Sequence, residues 1–225
     1  MTLLNPANDQ GAAVKEVVVM GKGALAIRVA ECVQQSSNYS VSVIVPVMPE
    51  PTWTESFASW GRAAGITVVD SGAYKDIPAL TDTDRKLPLV ISVFYDKIIK
   101  PWFIQRCEKI INLHNGPLPK YRGVSPINWA LKNGEVEHGL TIHEITEGID
   151  DGPIIAQLKY SIYPQIDEVI DVYKRSLEYG RVLFEQTLPL IDRIEPREQA
   201  HQEAVYYSKQ DNVRLGERTS FTRPK

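Results

Sequence analysis

Two cysteines in 225 residues are too few for a disulfide framework. Cys32 and Cys107 both fall inside apolar-periodic segments, so they read as buried free thiols of a reducing compartment. Apolar residues make up 43% of the chain, yet no uninterrupted run approaches the ~20 residues that span a bilayer, and no membrane partner is expected. Charge of one sign is scarce as well: Lys and Arg number 25 against 28 Asp and Glu. No basic tract is long enough to follow a phosphate backbone, which argues against nucleic acid. The opening residues carry no basic region ahead of an apolar run, so no secretory signal is expected and a cytoplasmic location is. There is no G-x-S-x-G nucleophile elbow, and neither cysteine has a histidine neighbour in a nucleophile pattern. His114, His138 and His143 lack a metal-ligand spacing, so no metal is expected.

What remains is a regular alternation. Residues 1–14 are small and polar without a period and read as a loose arm. Glu16 to Met20 (E-V-V-V-M) is a continuous apolar run, the pattern of a strand covered on both faces. Gly21-Lys22-Gly23 follows, then helical spacing from Ala24 to Val33. This turn lacks the third glycine of the dinucleotide fingerprint, and no ribose-binding acid follows a second strand, so a nicotinamide cofactor is not expected. The helix N-terminus could still receive a phosphate. Further strands are expected at Val41–Val47, Ile66–Asp70, Leu89–Val93, Ile110–His114, Leu140–Ile145 and Ile154–Tyr160. Helices are expected at Thr52–Ala64, with Trp53, Phe57 and Trp60 in the core, from Pro101, from Pro126 with Ser125 as N-cap, and from Glu168 to Ile191 with Asp167 as cap. The alternation predicts an α/β, Rossmann-like, mostly parallel sheet with helices on both faces, plus a short C-terminal tail. The expected organisation is a loose arm (1–14), one catalytic domain (15–195) and a C-terminal extension (196–225). There are no internal repeats and no low-complexity linker.

The stretch Ile110 to Gly123, I-I-N-L-H-N-G-P-L-P-K-Y-R-G, carries the chemistry. On a strand Asn112 and His114 point the same way, and Gly116, Pro117 and Pro119 then force a turn. A carboxamide and an imidazole thus sit at the carboxyl end of a strand, where an open α/β sheet holds its ligand. Other polar candidates are His143, Glu144, Asp150 and Asp151. Each alone has a bland reading: a turn-capping Asn, a satisfied His, an Asp in turn chemistry. Together, an amide, an imidazole and a carboxylate without a nucleophile point to acyl transfer onto an external nucleophile.

The segment N-L-H-N-G-P-L-P-K-Y-R-G, followed by H-G-L-T-I-H-E-I-T-E-G-I-D-D-G-P-I-I-A-Q, resembles the formyltransferases that use 10-formyltetrahydrofolate, over about Ile110 to Gln157. The resemblance implies a Rossmann-like catalytic domain with an Asn, His, Asp site. Asn112 and His114 match the first two positions and Asp150 the third, with Asp151 as a one-residue ambiguity. It implies that Asn112 and protonated His114 stabilise the tetrahedral oxyanion, that Asp150 raises the pKa of His114, and that no metal is needed. It further implies a pterin held against Phe94, Tyr95 and Ile98 and the Glu147, Gly148, Ile149 loop.

Several details within the family favour an amino sugar as acceptor. The H-N-G-P-L-P version of the central motif and the Y-Y-S-K-x-D tail resemble sugar N-formyltransferases, which act on nucleotide-linked, typically dTDP, amino sugars destined for surface polysaccharide such as lipopolysaccharide. Lys120, Tyr121 and Arg122 follow the site and could approach that sugar or its phosphates. Glycinamide ribonucleotide formyltransferases carry a G-N-G-S-N-like loop after the first strand, where this chain has Gly21-Lys22-Gly23-Ala24-Leu25. The tRNA enzymes carry a further C-terminal domain. A glycinamide ribonucleotide or other small-amine formyltransferase is the alternative. A 10-formyltetrahydrofolate hydrolase or a non-catalytic binding module would be a different class, and a homodimer stays open.

Overall fold

A computed structural model describes residues 13–216. The expected arm, 1–14, lies outside them except for its last two residues, and so does the end of the C-terminal extension beyond residue 216. The apolar run after Lys15 forms β1 (Lys15–Gly21). Val17, Val18, Val19 and Met20 are at most 3% exposed, as a strand covered on both faces must be. Alternate side chains feed two separate cores. Val17 and Val19 join the one under α1 (Gly23–Gln34), and Val18 and Met20 the one on the opposite face.

Around β1 the sheet adds β2 (Tyr39–Pro46), then, after α2 (Phe57–Ala63), a two-residue edge strand β3 (Thr67–Val68). On the other side come β4 (Leu87–Val93) and, after a single turn α3 (Pro101–Ile104), β5 (Cys107–His114). These five strands are parallel. A two-residue strand β6 (Arg122–Gly123) and α4 (Pro126–Lys132) precede β7 (Glu137–Glu144) and β8 (Ile154–Ser161), which extend the sheet antiparallel. The order is β3-β2-β1-β4-β5-β7-β8, the mostly parallel architecture that the alternation predicts. The long helix α5 (Val169–Thr187) packs on the same face as α1. Finally β9 (Tyr206–Tyr207) pairs in parallel with β6, apart from the main sheet.

The expected helix from Thr52 begins only at Phe57, where Ser56 Oγ accepts from Ser59 N at 3.0 Å. Trp53 therefore lies ahead of the helix and is 63% exposed instead of in the core, while Phe57 is fully buried and Trp60 packs against it. The strand expected at Ile66–Asp70 shrinks to β3. The cap of α5 is Glu168, in a reciprocal capping box with Asp171, and not Asp167, whose carboxylate takes the Tyr163 N–H at 2.7 Å. The helix ends at Thr187 and a 3-10 turn follows at Leu188–Leu190. Ser125 does occupy the position before Pro126, but in a left-handed conformation and without a capping bond. Cys107 is buried and Cys32 partly so, both as free thiols.

Gly21 closes β1 against the carbonyl of Val93, where a Cβ would come within 2.1 Å. The G-x-G signal here is thus a close-packed strand-to-helix turn.

Candidate active site

Asn112 and His114 leave one face of β5 at its carboxyl end because strand side chains alternate. Asn112 pairs with Ser92 of β4 on one side and with His143 of β7 on the other. The connection from β7 to β8 then returns over the same edge. Its turn requires glycine: a Cβ on Gly152 would lie 2.0 Å from the Glu144 carbonyl oxygen. Asp150 enters that turn with φ 51°, a conformation costly for a residue with a side chain.

This geometry brings Asp150, and not Asp151, to the strand pair. Asp150 Oδ2 accepts from Gly123 N at 2.8 Å and lies 3.5 Å from His114 Nδ1. Its Oδ1 lies 3.4 Å from Asn112 Nδ2 and 3.5 Å from His143 Nε2. The Asp151 carboxylate instead takes the Thr146 hydroxyl hydrogen bond. His114 Nε2 sits 2.8 Å from the Tyr121 carbonyl oxygen, so both its ring nitrogens face acceptors.

Burial is the dominant influence on the His114 imidazole and holds it below its ordinary value; Asp150 pulls it upward and His143 pushes it down. The expected raised pKa is therefore reversed: Asp150 acts in the anticipated direction, but desolvation outweighs it. Burial pushes the Asp150 carboxyl up. The imidazoles and the Gly123 N–H more than offset that and hold it well below the usual carboxylate range.

His143 is the site residue that local sequence left without a role. It is 2% exposed, and its Nδ1 faces the Glu144 carbonyl oxygen at 2.8 Å. Assigned from that partner, the proton sits on Nδ1 and Nε2 is an acceptor, matched by Asn112 Nδ2 at 3.2 Å. Its signal was the register of an antiparallel pair, which local sequence does not carry. Gln199 is a second such residue: it is 4% exposed and bonded to the Asp150 turn.

The flanking residues divide. Phe94, at φ 56°, follows the end of β4, with its ring 6.3 Å from that of Tyr173. Tyr95 is anchored, its hydroxyl donating to the Gly72 carbonyl oxygen at 2.8 Å, and burial pushes that hydroxyl up to about 12. Ile98 is 66% exposed, and Glu147, Gly148 and Ile149 are exposed. Lys120 projects outward. Tyr121 does not: it is 4% exposed, stacks on Tyr207, and donates its hydroxyl to Glu135 at 2.7 Å. Its ring is thus a packing element, and only its carbonyl reaches the site. Arg122 is likewise tied down, its guanidinium donating twice to Gln199 Oε1, at 3.1 and 2.6 Å. Among the described residues, no group of three or more His, Cys, Asp or Glu is arranged to hold a metal ion.

The chain is similar to known proteins in sequence and in fold. Residues 78–188 match the formyl transferase family model. An N-formyltransferase from Helicobacter canadensis, solved with folinic acid and dTDP-3-aminofucose, is 27% identical, with a TM-score of 0.74 over 88% of this chain and 72% of that one. WlaRD, a sugar 3N-formyl transferase solved in the presence of dTDP and 5-N-formyl-THF, is 25% identical, with a TM-score of 0.73 over 89% and 72%. Glycinamide ribonucleotide transformylase 1 from Symbiobacterium toebii shares the fold, with a TM-score of 0.68 at 20% identity over 84% of this chain and 96% of that one. Over residues 78–188 the chain thus matches the formyl transferase family model, and in sequence and fold it is similar to sugar N-formyltransferases.

Proposed function

We propose that the protein is a 10-formyltetrahydrofolate-dependent N-formyltransferase acting on the amine of a nucleotide-linked amino sugar, in a dTDP form, for surface polysaccharide synthesis in the cytoplasm. The observation that carries this reading is the convergence of Asn112, His114 and Asp150 within 3.5 Å at the carboxyl edge of the sheet. The resemblance of motifs and the ligands of the two sugar enzymes support the choice of donor and acceptor. Ile98 and Ile149 are exposed, and exposed apolar side chains beside few polar groups would suit a flat heterocycle.

The folate supplies the formyl group: one C–N bond to its nitrogen breaks, one to the acceptor amine forms, and one proton passes from amine to departing nitrogen. Asn112 Nδ2 donates to the formyl oxygen as negative charge builds on it. His114, neutral because burial dominates its titration, takes the proton from the attacking amine. Asp150, ionised beside it, stabilises the imidazolium until that proton is passed on. Lys120 reaches toward the acceptor's phosphates.

The test is formyl transfer with purified protein, 10-formyltetrahydrofolate and a panel of amines, with mass gain read on each acceptor. The panel holds dTDP-linked 3-amino and 4-amino sugars, glycinamide ribonucleotide and a no-amine control. Gain on an amino sugar is expected. Gain on the ribonucleotide alone would reassign the acceptor, and folate cleavage without acceptor would make the protein a hydrolase.

A further inference from the structure

Gln199 follows Asp150 by 49 positions, beyond the segment that matches the family model. Its approach is held by Arg197, which exchanges both backbone hydrogen bonds with Ile154 at the start of β8, at 2.7 and 2.8 Å. The Gln199 carboxamide then uses all four of its hydrogen-bonding positions. Nε2 donates to the carbonyl oxygens of Asp150 at 2.9 Å and Gly152 at 2.7 Å. Oε1 accepts twice from Arg122, whose neighbour Gly123 gives its N–H to the Asp150 carboxylate at 2.8 Å. One side chain therefore ties the backbone that carries Asp150 to the strand residue beside the donor that aims it. A turn holding Asp150 at positive φ persists only where its surroundings over-determine it.

We propose that Gln199 is a positioning residue for Asp150: its carboxamide locks the Asp150–Gly152 turn to Arg122 and so sets the distance between the Asp150 carboxylate and the His114 imidazole. The placement stands on geometry alone; its consequence for turnover rests on the formyl-transfer reading. By the same argument the working unit extends past residue 195 to at least β9, which holds β6 from the other side through Arg122 N to Val205 O and Val124 N to Tyr207 O, each 2.9 Å.

The test uses Gln199→Ala and Gln199→Met, the second keeping side-chain volume so that loss of the bonds is separated from loss of packing. The primary readout is the NMR titration of the His114 ring, which needs no substrate. The titratable groups facing that ring are Asp150 from the β7–β8 turn and His143 from β7, with His138 deeper on β7. With Asp150 released, the upward pull on His114 weakens, so its midpoint should fall by about half a unit or more, with His138, whose shift is set first by burial, moving less. In the transfer assay kcat should fall about 10- to 100-fold with KM for the acceptor little changed, as a misplaced catalytic group costs. A folded Gln199→Met protein with an unshifted His114 midpoint would overturn the proposal. A shifted midpoint in a protein whose parent transfers no formyl group would uphold it and overturn the functional reading instead.

Discussion

Asn112 has two amide protons, and both already have acceptors, His143 Nε2 at 3.2 Å and Asp150 Oδ1 at 3.4 Å. The second contact is the longer, so its proton is the one an incoming oxygen can claim most cheaply. His143 then works by fixing which way the amide faces. Asn112→Ala should lower kcat about 100- to 1000-fold, the loss typical of one oxyanion donor. His114→Ala should lower it about 100- to 10,000-fold by removing the proton carrier. His143→Ala should cost less, about tenfold and in kcat alone, because a neighbour of the amide and not the amide itself is lost. Steady-state kinetics on folded variants checks all three, and near-parent turnover in His114→Ala would sink the mechanism.

At the scale of elements, two substitutions separate framework from site. Phe184 on α5 is fully buried in the core beneath that helix, so Phe184→Ala should cost about 3–5 kcal/mol in denaturant unfolding, through the cavity it leaves. Gly152→Ala should instead strike activity, because a backbone carbonyl 2.0 Å from the new Cβ must move and the Asp150 turn with it. Retained circular dichroism with lost turnover is the expected pair of readings. The same division explains what the sequence disclosed. Runs such as Val17–Met20 announce buried strands because burial on both faces demands apolar residues at every position. Asn112 and His114 were legible because alternation and the turn behind them are local. The start expected for α2 at Thr52 was too early because Trp53, Phe57 and Trp60 hold helical spacing while Ser56 is the residue that caps. His143 showed as a polar candidate but not its place beside Asn112, and Gln199 stayed hidden, because strand register and a bond across 49 positions are written in no local pattern. The D-D-G-P turn favoured Asp150 but left Asp151 as a one-residue ambiguity; in the fold it is Asp150, at positive φ, whose carboxylate meets the strand pair.

For the whole molecule, acid is the sensitive direction. His138 is fully buried, and burial lowers its pKa to about 4. As pH falls below about 6.5 the unfolded chain takes up this proton first, so stability is full above that value and drains away down to about 4. A gap of that size corresponds to a loss of about 3 kcal/mol. His114 adds to the loss in the same direction. Asp150, held low in the folded state, extends it as pH drops through the ordinary carboxylate range. Urea midpoints at pH 7.5, 6 and 5 should decline in that order, and His138→Gln should flatten the profile even if it lowers the midpoint at pH 7.5. Equal midpoints at pH 7.5 and 5 would contradict the buried neutral histidines.

The bonds from Gln199 to the Asp150 turn also bear on how the protein is made. A ribosome emits about 5–20 residues per second, so the 49 positions separating the two mean a delay of about 2–10 s. During that interval the nascent chain already holds Asn112, His114 and Asp150, with the parallel sheet free to assemble. The turn that aims the carboxylate still lacks the amide that fastens it. The aim of the Asp150 carboxylate is thus fixed only after the carboxylate itself has been made, and a message truncated shortly before codon 199 would encode a chain with its reactive groups present and its aim unset.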